Sequence, residues 1–390
     1  MLDLGLPLDA ELAAPPPLPP VPGLCEWNPS LVGVLVSHGH PDHWGLATCL
    51  PGHPRIYIGK TTARILREAK FFTPMGAGFH AAGFLRDREP FRLGPFRITP
   101  YLLDHSAFDA YALLVDAGGR RLLYSGDLRA HGRRAALTER LITDPPPNID
   151  VLLLEGTHVR AERVPAPSSN TEADVETTAA DICRGTGTGM VLAAYSAQNV
   201  DRMATLYRAA RATGRTFVLD LYAASLATAV EDADLPIPGA EDVLIYVPQA
   251  QRMKVKHAAE FHRVNALNHA RIYPEQLAKR AGELVLTFRA SMCRELVRAG
   301  CLTNAALLWS MWSGYLYDTR RGDLRRWATE RDITLTVAHA SGHATVGDLQ
   351  RVARAVRARQ VVPIHTAAPG RFDDLFERVR AHPDGEWWEA

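Results

Sequence analysis

No apolar run in the sequence approaches the ~18–20 residues a membrane helix needs. The chain also opens without the basic and apolar regions of a secretory leader. Neither membrane insertion nor export is therefore expected. Cysteine is scarce: Cys25, Cys49, Cys183, Cys293 and Cys301 are scattered and never spaced C-x-x-C. An odd, dispersed set excludes a disulfide framework and points to reduced, mostly buried thiols in a cytoplasmic protein. Nor does charge of one sign prevail. Lys+Arg 44 against Asp+Glu 43 leave a net charge of +1, so any attraction for a polyanion must come from local patches or from bound cations.

What is present is a chain of 390 residues, 47% apolar, long enough for two or three domains with real cores. Residues 38–43 read His-Gly-His-Pro-Asp-His. They follow the strand-like Leu31–Val36 and precede a helical Trp44-Gly45-Leu46, so they occupy a loop held between rigid elements. Imidazole nitrogen and carboxylate oxygen are both good ligands for a divalent metal. Six consecutive residues cannot wrap one ion, so the loop is expected to serve two ions that complete their shells from distant residues.

Candidates for those distant ligands stand at the ends of other strands. Asp104-His105-Ser106 follows Ile98–Leu103, Ser125-Gly126-Asp127 follows Arg121–Tyr124, and His365 ends Val361–Ile364. Further strands are expected at Arg55–Ile58, Phe91–Ile98, Tyr111–Asp116 and Val151–Leu154, with a helix at Thr61–Lys70. Gly118-Gly119 marks a hairpin turn. After Glu155 the pattern becomes β-α-β. Strands are expected at Met190–Ala194, Thr216–Asp220, Leu284–Thr287, Ala305–Trp309 and Thr334–Val337. Helices fall between them, the first opened by a capping box at Ser169–Glu172. That alternation predicts a doubly wound parallel sheet. A final helix, Thr345–Ala358, precedes the strand before His365.

These motifs resemble the metallo-β-lactamase fold. Asp3 in Leu-Asp-Leu-Gly is similar to its first motif, His38-x-His40-x-Asp42-His43 to its second, His105 to its third and Asp127 to its fourth. Glu155 in Leu-Glu-Gly-Thr, Ser341-Gly342-His343-Ala344 and Pro363-Ile364-His365 resemble motifs A, B and C of the β-CASP subgroup, which includes nucleases acting on RNA. The resemblance implies an αββα fold with an inserted doubly wound β-CASP domain: residues 1–160 and 345–390 for the first, 161–344 for the insertion. It implies His38, His40 and His105 around one ion, Asp42, His43 and His365 around the other, and Asp127 between them. The ions would be two Zn²⁺, with Mn²⁺ as a substitute. The fold's usual opening hairpin before Asp3 is lacking in this sequence, so the expectation is either a start that lies upstream or a bare sheet edge.

The chemistry expected is metal-assisted hydrolysis of an RNA phosphodiester, with DNA as the other nucleic-acid substrate. Asp42 serves as ligand or proton acceptor. His343, expected on the inserted domain, acts at the scissile phosphate or the leaving group, and Glu155 orients it. Ser341 and Gly342 before one helix, and Ser196 and Asn199 before another, are expected phosphate contacts. Basic runs at Arg129–Arg134, Arg252–His257 and Arg320–Arg326 are expected first as solvated helix faces and only second as guides for a nucleic acid. Trp312 and Tyr315 would stack bases, while Trp309 is assigned to the core. The competing readings are a hydrolase of a lactone, thioester or β-lactam, and a scaffold without activity.

Overall fold

The computed structural model describes residues 1–7, 10, 14–26, 28–52, 55–161, 171–318 and 322–389. The chain packs as two units, Met1–Ser169 with Ser341–Ala390, and Asn170–Ala340. Ser341–Ala344 therefore go with the first unit, and His343 is not carried by the inserted segment as expected. The cause is local: the carbonyls and hydroxyl of Ser341–Ala344 are hydrogen-bonded to His105, Arg129, His131 and His158, all in the first unit.

In the first unit, β1 (Val34–Val36), β2 (Ile56–Gly59) and β3 (Ala81–Leu85) make a parallel sheet in that order. A second sheet holds β4 (Phe91–Leu93), β5 (Phe96–Leu103), β6 (Ala110–Ala117), β7 (Arg120–Tyr124) and β8 (Val151–Glu155), with the return strand Gln360–Ile364 on the outside of β8. β4 to β7 are antiparallel, while β8 runs parallel to both β7 and the return strand.

The period-2 alternation of strands sorts side chains into layers. Val34 and Val36 pack with Trp44 and Leu66 on one face of the small sheet. Leu35 between them packs with Tyr111, Leu113 and Tyr124 of the large sheet. On β6, Ala112 and Leu114 point the other way, into a core shared with Leu141, Leu349, Val352 and Val356. Those last residues come from helices Ala135–Thr143 and Val346–Val356. Two sheets thus lie face to face with helices outside each. Burying one such Leu or Val side chain stabilises the layer by roughly 1.5–3 kcal/mol.

Three departures from expectation have local causes. The expected strand Phe91–Ile98 is two, since Gly94 at φ +58° turns the chain back between Leu93 and Phe96. β3, Ala-Ala-Gly-Phe-Leu, lacks β-branched residues and carries no strand signal, yet β2 supplies its backbone partners. The edge of β1 is not bare. Leu2 bridges Leu35 in parallel, the Asp3 N–H donates to the Leu35 carbonyl at 2.9 Å, and the Leu35 N–H donates to the Met1 carbonyl at 3.0 Å. The Gly118-Gly119 turn stands as expected: both residues have positive φ, +60° and +77°, and Ala117 pairs with Arg120.

The second unit is one six-stranded parallel sheet of β9 (Val191–Ala194), β10 (Thr216–Asp220), β11 (Val243–Tyr246), β12 (Leu284–Thr287), β13 (Ala306–Trp309) and β14 (Thr334–Val337), ordered β11-β10-β12-β9-β13-β14. Leu192, Leu286 and Leu307 face a core with Leu277, Leu296 and Ala328 of the flanking helices. The first helix, Glu172–Gly185, opens with a capping box of Thr171 and Asp174, two residues beyond the one expected, because the Thr171 hydroxyl accepts from the Asp174 N–H. Ser169 lies outside the described residues.

Trp309 is buried in the core, while Trp312 and Tyr315 are 60% and 63% exposed. All five cysteines are unpaired, but only Cys183 and Cys301 are buried; Cys25 and Cys49 are exposed. Among the described residues no helix is long and apolar enough to cross a membrane.

Candidate metal centre

The His38–His43 loop begins where β1 ends and is anchored from beneath by one carboxylate. Asp3 accepts from the Ser37 N–H and hydroxyl, both at 2.6 Å, from the Tyr124 hydroxyl at 2.5 Å and from His43 Nδ1 at 2.7 Å. Pro41 starts a short helix, Pro41–Trp44, that turns Asp42 and His43 to the same side as His38. Gly5 lets the chain after Asp3 pass beneath that helix: a Cβ there would lie 1.6 Å from the Asp42 carbonyl oxygen. The other contributors stand at strand ends, His105 after β5, Asp127 after β7, Glu155 at the end of β8, and His365 after the return strand. His365 has φ +49°, a left-handed conformation that a histidine adopts at a cost.

Three groups of ligand-type atoms result, each within 4.8 Å: His38, His40, His105 and Asp127; Asp42, His43, Asp127 and His365; and Asp127, Glu155, His343 and His365. Asp127 is common to all three. All seven residues expected as metal ligands, and both residues expected to act beside them, are therefore gathered in the first unit.

Tautomers follow from partners that can only accept or only donate. His105 Nδ1 meets the Gly342 carbonyl, so it carries the hydrogen and Nε2 bears a lone pair. The Ser37 hydroxyl spends its hydrogen on Asp3, so it accepts from His38 Nδ1 at 3.0 Å and His38 Nε2 also bears a lone pair. Both lone pairs converge on His40 Nδ1, at 3.2 Å and 3.1 Å. One hydrogen on His40 can satisfy one of them. Burial, reinforced by neighbouring histidines, holds His38 and His105 well below the usual imidazole range, and burial brings His40 down to about 4. Two buried neutral imidazoles whose lone pairs converge beside a half-buried third fit a cation.

Asp127 requires positive charge even more. Both of its carboxylate oxygens are buried without a hydrogen-bond partner, and so is His43 Nε2, 3.2 Å from Asp127 Oδ2. An unsatisfied buried carboxylate is among the costliest groups a fold can hold. Burial alone would neutralise Asp127, but the charges of His43 and His343 outweigh it and keep the carboxyl ionised. For His43, burial opposes protonation, and the Asp127 and Asp3 charges override it, raising its affinity for a proton. A metal ion would take that proton's place. Asp42 Oδ2 lies 3.2 Å from His365 Nε2; burial disfavours its charge, but that hydrogen bond and His43 bring it down to about 2.

His343 stands 3.4 Å from Glu155 and 3.6 Å from Asp127 through Nδ1. Burial lowers its basicity, but the Glu155 and Asp127 carboxylates raise it to about 9. Glu155 is wholly buried, and each of its oxygens already accepts a backbone N–H, from Leu128 at 3.2 Å and Thr157 at 3.1 Å. That use of both oxygens suits an orienting carboxylate better than a metal ligand.

The expected phosphate contacts fare differently. The Ser341 hydroxyl lies 3.1 Å from His158 Nε2 and accepts from the His343 N–H at 3.1 Å. Gly342 serves close packing, since a Cβ would meet Ser106 Oγ at 2.3 Å. The helix that follows fills its own N-terminus with Thr345 and Asp348, and the Asp348 charge opposes a phosphate there. In the second unit Asn199 caps helix Val200–Ala212 by accepting from the Arg202 N–H, and Ser196 is exposed. Neither is among the residues gathered at the centre. The basic run Arg129–Arg134 is not a free patch, because Arg129 is fully buried against Asp104 at 3.1 Å and also donates to the Ser341 carbonyl. Arg320 and Arg321 lie outside the described residues, and Arg326 pairs with Glu330.

Sequence reasoning passed over Thr157, His158, His131 and Tyr124. Thr157 Oγ1 sits between His365 Nδ1 at 2.8 Å and His343 Nδ1 at 3.1 Å. The signal available was position: Thr157 and His158 directly follow the Glu155 strand end.

Comparison with known proteins agrees with this geometry. Residues 7–193 match the family model described as beta-lactamase superfamily domain. Ribonuclease J from two strains of Mycobacterium tuberculosis, CDC 1551 / Oshkosh and H37Rv, is 29% identical over 195 residues, 47% of this chain. The alignment spans only 32% of those relatives' length. A solved protein of unknown function from Enterococcus faecalis V583 superposes with a TM-score of 0.73 at 21% identity, covering 91% of this chain and 80% of the other, a likeness of fold. The matched domain and the gathered histidines and aspartates support the metallo-β-lactamase superfamily and a metal-binding role.

Proposed function

We propose that the chain is a two-zinc hydrolase of the β-CASP type that cleaves RNA phosphodiester bonds. The observation that carries the reading is Asp127, a buried carboxylate with no hydrogen-bond partner where three ligand groups meet. His343 and its Glu155 partner beside it favour a phosphodiester, because a cleaved phosphodiester needs a proton donor for the leaving oxygen. The 29% identity to ribonuclease J points the same way.

His38, His40 and His105 would hold one ion, Asp42, His43 and His365 the other, with Asp127 shared. Such ions supply an activated water and polarise a phosphoryl oxygen. The chain's own residues do the rest. Asp42, ionised and on the rim of the ligand set, accepts the proton released by the nucleophilic water. His343, charged beside Glu155, stabilises the phosphate oxygens and returns a proton to the departing oxygen. Glu155 keeps that imidazole charged and aimed.

The test pairs metal analysis with cleavage of single-stranded RNA and DNA oligonucleotides blocked at either end. Wild type should bind zinc and cleave RNA. Asp127→Asn should lose most of its metal, and His343→Ala should keep metal while losing about 100-fold or more in cleavage. Unchanged RNA cleavage by a metal-depleted Asp127→Asn protein would rule the mechanism out. Turnover of lactones or thioesters beside inert oligonucleotides would select a small-molecule hydrolase instead.

A further inference from the structure

We infer that His158 is a positioning residue that fixes the backbone carrying His343, and that it does so as the neutral Nδ1–H tautomer. The inference rests on the proposed role of His343, and it begins from hydrogen-bond direction. His158 Nδ1 is 3.0 Å from the Ala344 carbonyl, which can only accept, so Nδ1 carries the hydrogen. Nε2 of the neutral ring must then accept, and its partner at 3.1 Å is the Ser341 hydroxyl. That hydroxyl in turn accepts from the His343 N–H at 3.1 Å. The chain of donors runs His343 N–H to Ser341 Oγ, Ser341 O–H to His158 Nε2, and His158 Nδ1–H to the Ala344 carbonyl.

This arrangement closes a ring around His343. Its own N–H and the carbonyl of the next residue are tied through a single imidazole. The ring forbids a half-turn flip of His158, which would set Cδ2–H against the Ala344 carbonyl and Cε1–H against the Ser341 hydroxyl, breaking both bonds. It also spends the hydroxyl hydrogen of Ser341 on the His158 ring. Glu155, three residues before His158, orients the His343 imidazole, and Thr157 lies 3.1 Å from its Nδ1. One short stretch after β8 thus holds His343 by side chain and by backbone. Nearby, Arg129 and His131 fix the Ser341 carbonyl at 3.2 Å and 3.1 Å, which limits how far the segment can relax if His158 is lost.

The amide side chains separate the two halves of the role. In His158→Gln the amide oxygen can reach the Ser341 hydroxyl, in His158→Asn the amide nitrogen can reach the Ala344 carbonyl, and His158→Phe does neither. With zinc-loaded full-length protein and an RNA oligonucleotide, His158→Phe is expected to lower kcat about 10–100-fold with KM little changed. His158→Gln should recover part of that loss. Ser341→Ala should lose at least as much as His158→Asn, because it also removes the acceptor of the His343 N–H, and the double variant should be no worse than Ser341→Ala alone, because the Ser341–His158 link is already cut. Zinc content should stay at the wild-type level throughout.

A second readout does not need turnover. Nitrogen-15 spectra of the imidazoles should show His158 protonated at Nδ1 alone, and the His343 ring signals should move in His158→Phe. Loss of nuclease activity in the wild type would overturn the functional reading but leave this spectroscopic prediction standing. A His158 protonated at Nε2, unmoved His343 signals, or losses for Ser341→Ala and His158→Asn that multiply in the double variant would each overturn the positioning role.

Discussion

Single atoms decide what this centre can be. The lone pairs of His38 Nε2 and His105 Nε2 and the bare oxygens of Asp127 are set by which neighbours can only accept and which can only donate. Asp3 matters at the same scale, because its carboxylate determines which nitrogen of His43 is left for a metal. Tyr124→Phe removes one of the four donors to Asp3 with little change in shape. It should weaken zinc binding about 10–100-fold, measured by competition with a chromophoric chelator. Affinity equal to wild type would show that the other three donors suffice.

How much was readable also divides at this scale. The hexapeptide His38–His43 declared itself because its ligands are contiguous, and Asp127 and His365 because each ends an apolar strand. Thr157 and His158 were marked only by their place after the Glu155 strand end, and Tyr124 by nothing, since each acts through a hydroxyl or a ring-to-carbonyl bond whose partner sequence does not show. For Ser341, sequence shows a hydroxyl before a helix but not the His158 ring that takes its hydrogen.

Among elements, the short helix Pro41–Trp44 depends on a neighbour with no side chain. Gly5→Ala would drive a Cβ into the Asp42 carbonyl, so the helix or the strand-like Met1–Asp3 segment must shift. The variant should lose zinc from the Asp42 and His43 side first. A mixed-metal titration would reveal it as one retained ion per chain, and full stoichiometry with native affinity would count against this view of the turn. The strands were legible where a short apolar run of Leu, Val and Ala stands between polar or turn residues, as in β6 and β8. β3 was not, because an alanine- and glycine-rich strand exists only through its pairing with β2. The hairpin Leu93–Phe96 was signalled by Gly94-Pro95, but the strand-like residues on both sides read as one element.

The whole molecule should report the centre through its stability. In metal-free protein, His40 has its proton affinity depressed by burial to about 4 against an ordinary 6.5. Between those values the unfolded chain binds a proton that the folded centre refuses, so stability falls as pH drops from 6.5 toward 4. His343, raised to about 9, behaves in the opposite sense: burial opposes its charge but Glu155 and Asp127 prevail, giving stability that is complete below 6.5 and lost as pH climbs through 9. Thermal melts of chelator-treated protein should therefore peak near neutrality and decline on both sides. A melting temperature flat from pH 4 to 10 would remove both histidines from the account. Division into two units was foreseeable from the change to β-α-β texture after Glu155. The exact junction was not, because the side chains that hold Ser341–Ala344 to the first unit come from distant parts of the sequence.

The outward nitrogens of the proposed ligand rings are held by oxygens of the fold: His43 by Asp3, His38 by Ser37, His105 by the Gly342 carbonyl. None of these restraints involves a metal, so the receptor for the ion exists before the ion arrives. Uptake should then be governed by how fast a divalent ion sheds its water, not by how fast a loop finds its shape. In a rapid-mixing experiment the first ion should enter in a single concentration-dependent phase, with nickel much slower than zinc. A slow phase independent of metal concentration would instead reveal a centre that must reorganise on every filling.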